Sequence, residues 1–177
     1  MRARPPYTEA LRLSRTLAIL AEFDPRVVGT LPIGVAMPES DIDVICHIGD
    51  TERFVATIWS AFAAYPQFVM RQWVGDGRPV IASFVAHDWP IEIFGQAVPV
   101  DEQAAWRHFS VEKRLLSLGG DALRQAVMAR RRSGEKTEAA FAGVLRLDGD
   151  PYRTMVDIAS FENQMLMNLI LRSQGKH

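Results

Sequence analysis

Apolar residues at Leu11, Leu13, Leu17, Ile19 and Leu20 alternate with polar positions at roughly helical spacing, which predicts a helix over 8–22, capped by Thr8 and stopped at Asp24-Pro25. The pattern then shortens. Arg26-Val27-Val28 reads as a buried strand ending at Gly29, and from Asp41 to Cys46 carboxylates alternate with Ile42, Val44 and Cys46. Thr51 caps a helix to about Tyr65, closed by Pro66, and Phe68 to Val74 returns as a strand before the turn Gly75-Asp76-Gly77. Pro79–Ala86 and Trp89–Phe94 form a β-hairpin about His87-Asp88. From Asp101 the strand signal fades, and helices are expected over about 101–118, 121–132, 137–146 and 151–172, punctuated by Gly119-Gly120, Ser133-Gly134 and Asp148-Gly149-Asp150-Pro151. The order predicts an α+β fold, a small mixed β-sheet with helices on one side followed by a C-terminal helical region. Residues 1–100 form the core and 101–177 the helical part, packed as one compact unit.

The strand at Asp41 carries the chemistry. Side chains two apart on a strand share a face, so Asp41 and Asp43 project together while Ile42, Val44 and Cys46 turn to the core. Two carboxylates this close repel unless a cation lies between them, and Mg²⁺ (or Mn²⁺) suits a site of one or two carboxylates completed by substrate phosphates. Upstream, Gly29 lets backbone approach a ligand, Thr30 offers a hydroxyl and an amide to a phosphate oxygen, and Ser40 steadies the entry to the carboxylate strand. Glu92, between Ile91 and Ile93, faces away from its apolar neighbours and is the candidate third ligand. An Asp-x-Asp pair alone is also what an acidic turn between two strands looks like, so the weight rests on the combination.

Read without gaps, Gly29-Thr30, Gly34, Pro38 and Ser40-Asp41-Ile42-Asp43-Val44 resemble the signature of the DNA polymerase beta-like nucleotidyltransferases, with Ile91-Glu92-Ile93-Phe94 matching the later strand of that superfamily. The chain departs from the pattern in having Thr30 where serine is usual and apolar Leu31 and Ile33 where basic residues often follow. A wider resemblance covers most of the chain. The run Gly29–Cys46, the segment from Ile91 to Gln96, Gln103, Arg107-His108, Glu112, Arg114-Leu115-Leu116, Lys136-Thr137-Glu138 and Gly149-Asp150-Pro151-Tyr152 are similar to a family of small bacterial proteins known as a domain of unknown function and grouped with nucleotidyltransferase-like folds. The resemblance implies a nucleotidyltransferase-like sheet and transfer of a nucleoside monophosphate from a nucleoside triphosphate to an unknown hydroxyl acceptor. Asp41, Asp43 and Glu92 would be both catalytic and metal-binding, and Gly29 and Thr30 would hold phosphates. The alternative is a nucleotide- or partner-binding protein that kept the fold and lost transfer; a hydrolase using water as acceptor is a third reading.

Composition narrows the partners. A net charge of −1 provides no field for long nucleic acid or membrane, and the halves differ mildly, −3 over residues 1–99 and +2 over 100–177. Cys46 is the single cysteine and lies on the buried strand face, so a reducing compartment is expected. No apolar run suits a signal peptide or membrane span, which points to the cytoplasm. Lys136, ahead of a helix start, is the candidate phosphate contact outside the motif. The cluster Arg130-Arg131-Arg132 reads as a solvated helix end. His108 and Glu112 are spaced for a helical i,i+4 pair that fixes packing, and Trp59, Trp89, Trp106, Phe109 and the methionines from Met155 to Met167 are assigned to packing.

Overall fold

The computed structural model describes residues 4–74, 77–173 and 175, so Gly75-Asp76 of the expected turn lie outside the described residues. The chain divides into two compact units, Met1–Pro32 with Ser40–Gln103, and Ile33–Glu39 with Ala104–His177.

The first unit carries five strands: β1 (Arg26–Val28), β2 (Ile42–His47), β3 (Val69–Gln72), β4 (Val80–Ala86) and β5 (Trp89–Gln96). Their order is β1-β2-β5-β4-β3, and β2 and β5 run parallel while the other neighbours are antiparallel. The β4–β5 hairpin closes where expected, because His87 and Asp88 both take left-handed backbone, φ 53° and 65°, as a two-residue hairpin turn requires. One sheet face is apolar, with Val27, Val44, Ile93, Ala82 and Met70 forming a row across the strands. Helix α4 (Thr51–Phe62) buries Phe54, Ile58 and Phe62 at four-residue spacing in the same core. Each such side chain contributes roughly 1.5–3 kcal/mol by leaving water. Phe62 stacks on Phe84 at 4.6 Å.

The expected helix over 8–22 is three pieces: α1 (Tyr7–Ser14), α2 (Thr16–Ile19) and a 3-10 turn (Ala21–Phe23). Arg15 breaks it by taking left-handed backbone, φ 56°, and the Ser14 and Thr16 hydroxyls pair across the break at 2.6 Å. The cap position of α1 is Pro6, not Thr8. Asp50, not Thr51, caps α4, accepting the Arg53 amide on its carboxylate. Trp59 is not in the core: it is 59% exposed and meets Phe68 edge-on.

The second unit is helical: α5 (Ala104–Arg132), α6 (Thr137–Leu145), α7 (Pro151–Ala159) and α8 (Asn163–Ser173). A four-residue turn, α3 (Thr30–Ile33), runs from the first unit into the short segment Ile33–Glu39 that belongs with these helices. The two helices expected over 101–118 and 121–132 are the two parts of α5, separated at Gly120, whose non-helical φ 59° and ψ −153° only glycine adopts without strain. The single helix expected over 151–172 breaks after Ala159. There Arg114 donates to the carbonyls of Ala159 and Phe161 and to Asn163 Oδ1, satisfying acceptors that the break releases. No helix among the described residues is long and apolar enough to cross a membrane.

Candidate functional site

The parallel pairing of β2 with β5 builds the site. Its register sets Asp43 beside Glu92, and the neighbouring pairs continue the row as Val28, Asp43, Glu92, Ser83 and Val69 across all five strands. Residues in one row share a face, so both carboxylates stand on the face opposite the apolar core. Asp41, two residues before Asp43 and just ahead of β2, lies half-buried near that end of the strand.

The adjoining row reads Arg26, Ile45, Phe94, Ile81 and Arg71. Ile45 and Ile81 are buried although they lie on the carboxylate face. Glu92 therefore sits in surroundings poorer in water than an open sheet surface. Burial is the first cause that raises its carboxyl above the ordinary range; the charge of Asp41 adds to the rise, and Arg71 opposes it. Arg71 was not among the residues picked from sequence. Alternation along Phe68–Val74 groups it with Val69, but only the β3–β4–β5 register shows which face that is.

Gly29 ends β1 with φ +75°, and a Cβ placed there would fall inside the Asp43 carboxylate, leaving Asp43 Cβ 3.5 Å away. The glycine thus does two things at once: it turns the backbone and leaves room for the acid. Thr30 follows at the start of α3, and its hydroxyl donates to the Ser40 hydroxyl at 3.2 Å, tying the start of the 29–40 connection to its end. Gly29, Thr30, Ser40, Asp41, Asp43 and Glu92 belong to one unit. Lys136 belongs to the helical unit, as the exposed cap residue of α6.

The expected donor set for a divalent cation is all oxygen, which suits Mg²⁺ or Mn²⁺. Among the described residues no group of three or more His, Cys, Asp or Glu side chains is set to hold a metal ion, so Asp41, Asp43 and Glu92 share a region without converging on one point. Their chemistry still fits a cation: acids side by side in register, with Asp41 raising the carboxyl of Glu92.

In the helical unit the expected His108–Glu112 pair is replaced by another. His108 Nδ1 lies 3.3 Å from Glu138 Oε1, and its Nε2 donates to the Tyr152 carbonyl at 3.0 Å. Glu112 is buried, with Oε1 lacking a partner, and its carboxyl is pushed up to about 8, first by burial and then by Glu138, against Arg131. Glu138 is lowered on balance. Burial, the largest single effect, raises it, and hydrogen bonds from His108 and its own amide, with the charges of His108 and Lys136, outweigh that. Arg130 pairs with Glu135 at 3.0 Å, so this part of the arginine cluster is tied down.

Solved structures share this architecture. The chain is similar to one in a GLD-2/RNP-8 complex at TM-score 0.58 and 12% identity, covering 96% of this chain and 75% of that one. It is also similar to the Cid1 poly(U) polymerase solved with MgGTP bound, at TM-score 0.55 and 14% identity over 85% of this chain and 47% of that one. A cytoplasmic RNA terminal U-transferase matches at TM-score 0.51 and 16% identity, over 84% and 44%. The chain therefore spans less than half of these last two proteins, and at such identities the likeness shows the fold alone, a nucleotidyltransferase-like mixed α+β architecture. No curated protein matches the chain by sequence. The family model for the domain of unknown function DUF4269 matches residues 9–158, and the chain belongs to that family.

Proposed function

We propose that this protein is a metal-dependent nucleotidyltransferase that moves a nucleoside monophosphate from a nucleoside triphosphate to a hydroxyl acceptor. The observation that carries the reading is the in-register pairing of Asp43 with Glu92 on one sheet face, with Asp41 influencing Glu92 and Gly29 making room for Asp43. The fold shared with Cid1, which was solved with MgGTP bound, supports it.

In this proposal Asp41 and Asp43 would hold Mg²⁺ or Mn²⁺, and Glu92 would complete the set. Bound there, a divalent ion supplies neutralisation of the charge on attacking and leaving oxygens. Glu92, half-buried and beside Asp43, accepts the proton of the acceptor hydroxyl. Gly29 gives the terminal phosphates close access to backbone, and the Thr30–Ser40 hydroxyl pair fixes the connection that does so. Lys136 is the proposed anion contact of the helical unit, supported by its exposed position at the start of α6.

Calorimetry with each nucleoside triphosphate, with and without Mg²⁺, tests the binding half. The proposal expects Mg²⁺-dependent binding that falls at least tenfold in Asp41→Asn. Equal binding in the chelated sample or in the variant contradicts it, and binding without consumption in a product assay assigns the protein to the non-catalytic alternative.

A further inference from the structure

The first unit contains an open-sided cavity of about 430 Å³, lined by α1, α2, β1 and Pro32 of α3. Its walls are almost entirely apolar: Tyr7, Leu11, Leu17, Ala18, Val27 and Pro32. Thr8 and two arginines, Arg12 and Arg15, complete the lining. Val27 pairs with Val44 on the core side of the sheet, whereas the adjoining Val28 pairs with Asp43 on the other side. The cavity is thus on the opposite face of β1 from the carboxylates, and the proposed transfer reaction has no use for it.

The two arginines differ. Arg12 is neutralised by Glu9 through contacts at 2.7 and 2.8 Å. The Arg15 guanidinium makes no ion pair among the described residues, and no acidic side chain lines the cavity. Arg15 also occupies a backbone position that does not favour it. It caps α1 with φ 56°, a left-handed conformation that glycine or asparagine adopts at lower cost. A cation at the end of α1 suits the helix dipole, and the exposed Arg15 side chain also borders the cavity as its one lining charge without an ion-pair partner among the described residues, which is the reason to look for a ligand. An apolar chamber with one uncompensated guanidinium complements a molecule with an apolar body and one anionic end.

We propose that this cavity binds an amphipathic anion, an alkyl chain ending in a carboxylate or phosphate, with the chain against Leu11, Leu17 and Val27 and the head on Arg15. Calorimetry with sodium decanoate, decyl phosphate, decanol and decyltrimethylammonium, each below its micellar range, tests it on the full chain. Decanoate or decyl phosphate should bind saturably, whichever is tighter naming the head group, with decanol about tenfold weaker and the cation weaker still. Arg15→Asn keeps a residue suited to the left-handed backbone, so it should fold at least as stably as the parent while losing about tenfold in affinity for the anion and none for decanol. Arg15→Lys should stay within about threefold of the parent. Ala18→Trp, at an exposed lining position, should fill the chamber and abolish binding. Equal affinity for decanol and decanoate, unchanged anion affinity in a folded Arg15→Asn, or no saturable binding of either anion overturns the proposal.

Discussion

Gly29→Ala isolates the contact on which the carboxylate arrangement rests. The substitution meets two obstacles: φ +75° at position 29 and a new Cβ inside the Asp43 carboxylate. Left-handed backbone costs a non-glycine residue roughly 1–2 kcal/mol. Rotating or displacing Asp43 adds about 1–2 kcal/mol, for a total of about 2–4 kcal/mol. Gly77→Ala is the control for the first cost, since it has φ +71° with no atom within 4 Å of its Cβ position. Asp43→Ala removes the clashing oxygen and leaves Asp43 Cβ at an ordinary 3.5 Å. In that background Gly29→Ala should cost only the backbone share, giving a coupling of about 1–2 kcal/mol between positions 29 and 43. Urea unfolding of the four proteins, with Gly77→Ala alongside, reads these numbers directly. If Gly29→Ala costs no more than Gly77→Ala and its cost is the same with and without Asp43, the close approach is unimportant and the reasoning fails.

Glu112→Gln should flatten the pH dependence of stability. Its carboxyl is raised to about 8 from 4.5, so the folded state holds the proton more tightly than the unfolded chain and stability is lost as pH rises between those values. The loss is at most about 1.4 kcal/mol per pH unit and about 4–5 kcal/mol in all, so the variant should be the more stable protein at pH 8.5 and nearly equal at pH 4.5; a parallel offset at every pH refutes the assignment. Arg114→Ala should destabilise by about 2–4 kcal/mol because it orphans the Ala159 and Phe161 carbonyls at the α7–α8 break, and Arg114→Lys should recover less than half of that since an ammonium lacks the planar fork. Thermal unfolding decides, and full recovery by lysine contradicts the geometry. Arg71→Met should weaken triphosphate-dependent turnover without changing stability by more than about 0.5 kcal/mol, because Arg71 is exposed at the sheet edge yet acts on Glu92. An unchanged rate argues that its influence on Glu92 has no functional consequence.

Local rules account for what could be read in advance. Alternation over Asp41–Cys46 and Trp89–Phe94 placed both carboxylates away from the core, because a period of two leaves a half-buried strand little freedom. The hairpin at His87-Asp88 was legible from a short turn between two β-rich runs, and helix α4 from the proline that ends it. What escaped depends on partners distant in the chain. The Asp43–Glu92 register is set by parallel pairing across 49 positions, and no periodicity encodes it. The break after Ala159 is completed by Arg114, on another helix, and the break at Arg15 needs a left-handed arginine that propensity argues against. His108 turned from Glu112 to Glu138 for a similar reason: helical spacing makes an i,i+4 pair available, but α6 presents a carboxylate within reach.

The central claim is that Asp41, Asp43 and Glu92 transfer a nucleotide, and pyrophosphate release measures it most directly. The parent protein is incubated with Mg²⁺ and each of the four ribonucleoside triphosphates, alongside Asp43→Asn and Glu92→Gln. The account predicts Mg²⁺-dependent pyrophosphate from at least one nucleotide, matched mole for mole by a nucleotidylated product. It also predicts a fall of at least a hundredfold in both variants with their thermal unfolding essentially unchanged. Equal pyrophosphate release from parent and Asp43→Asn, or release of free monophosphate with no transferred product, contradicts it.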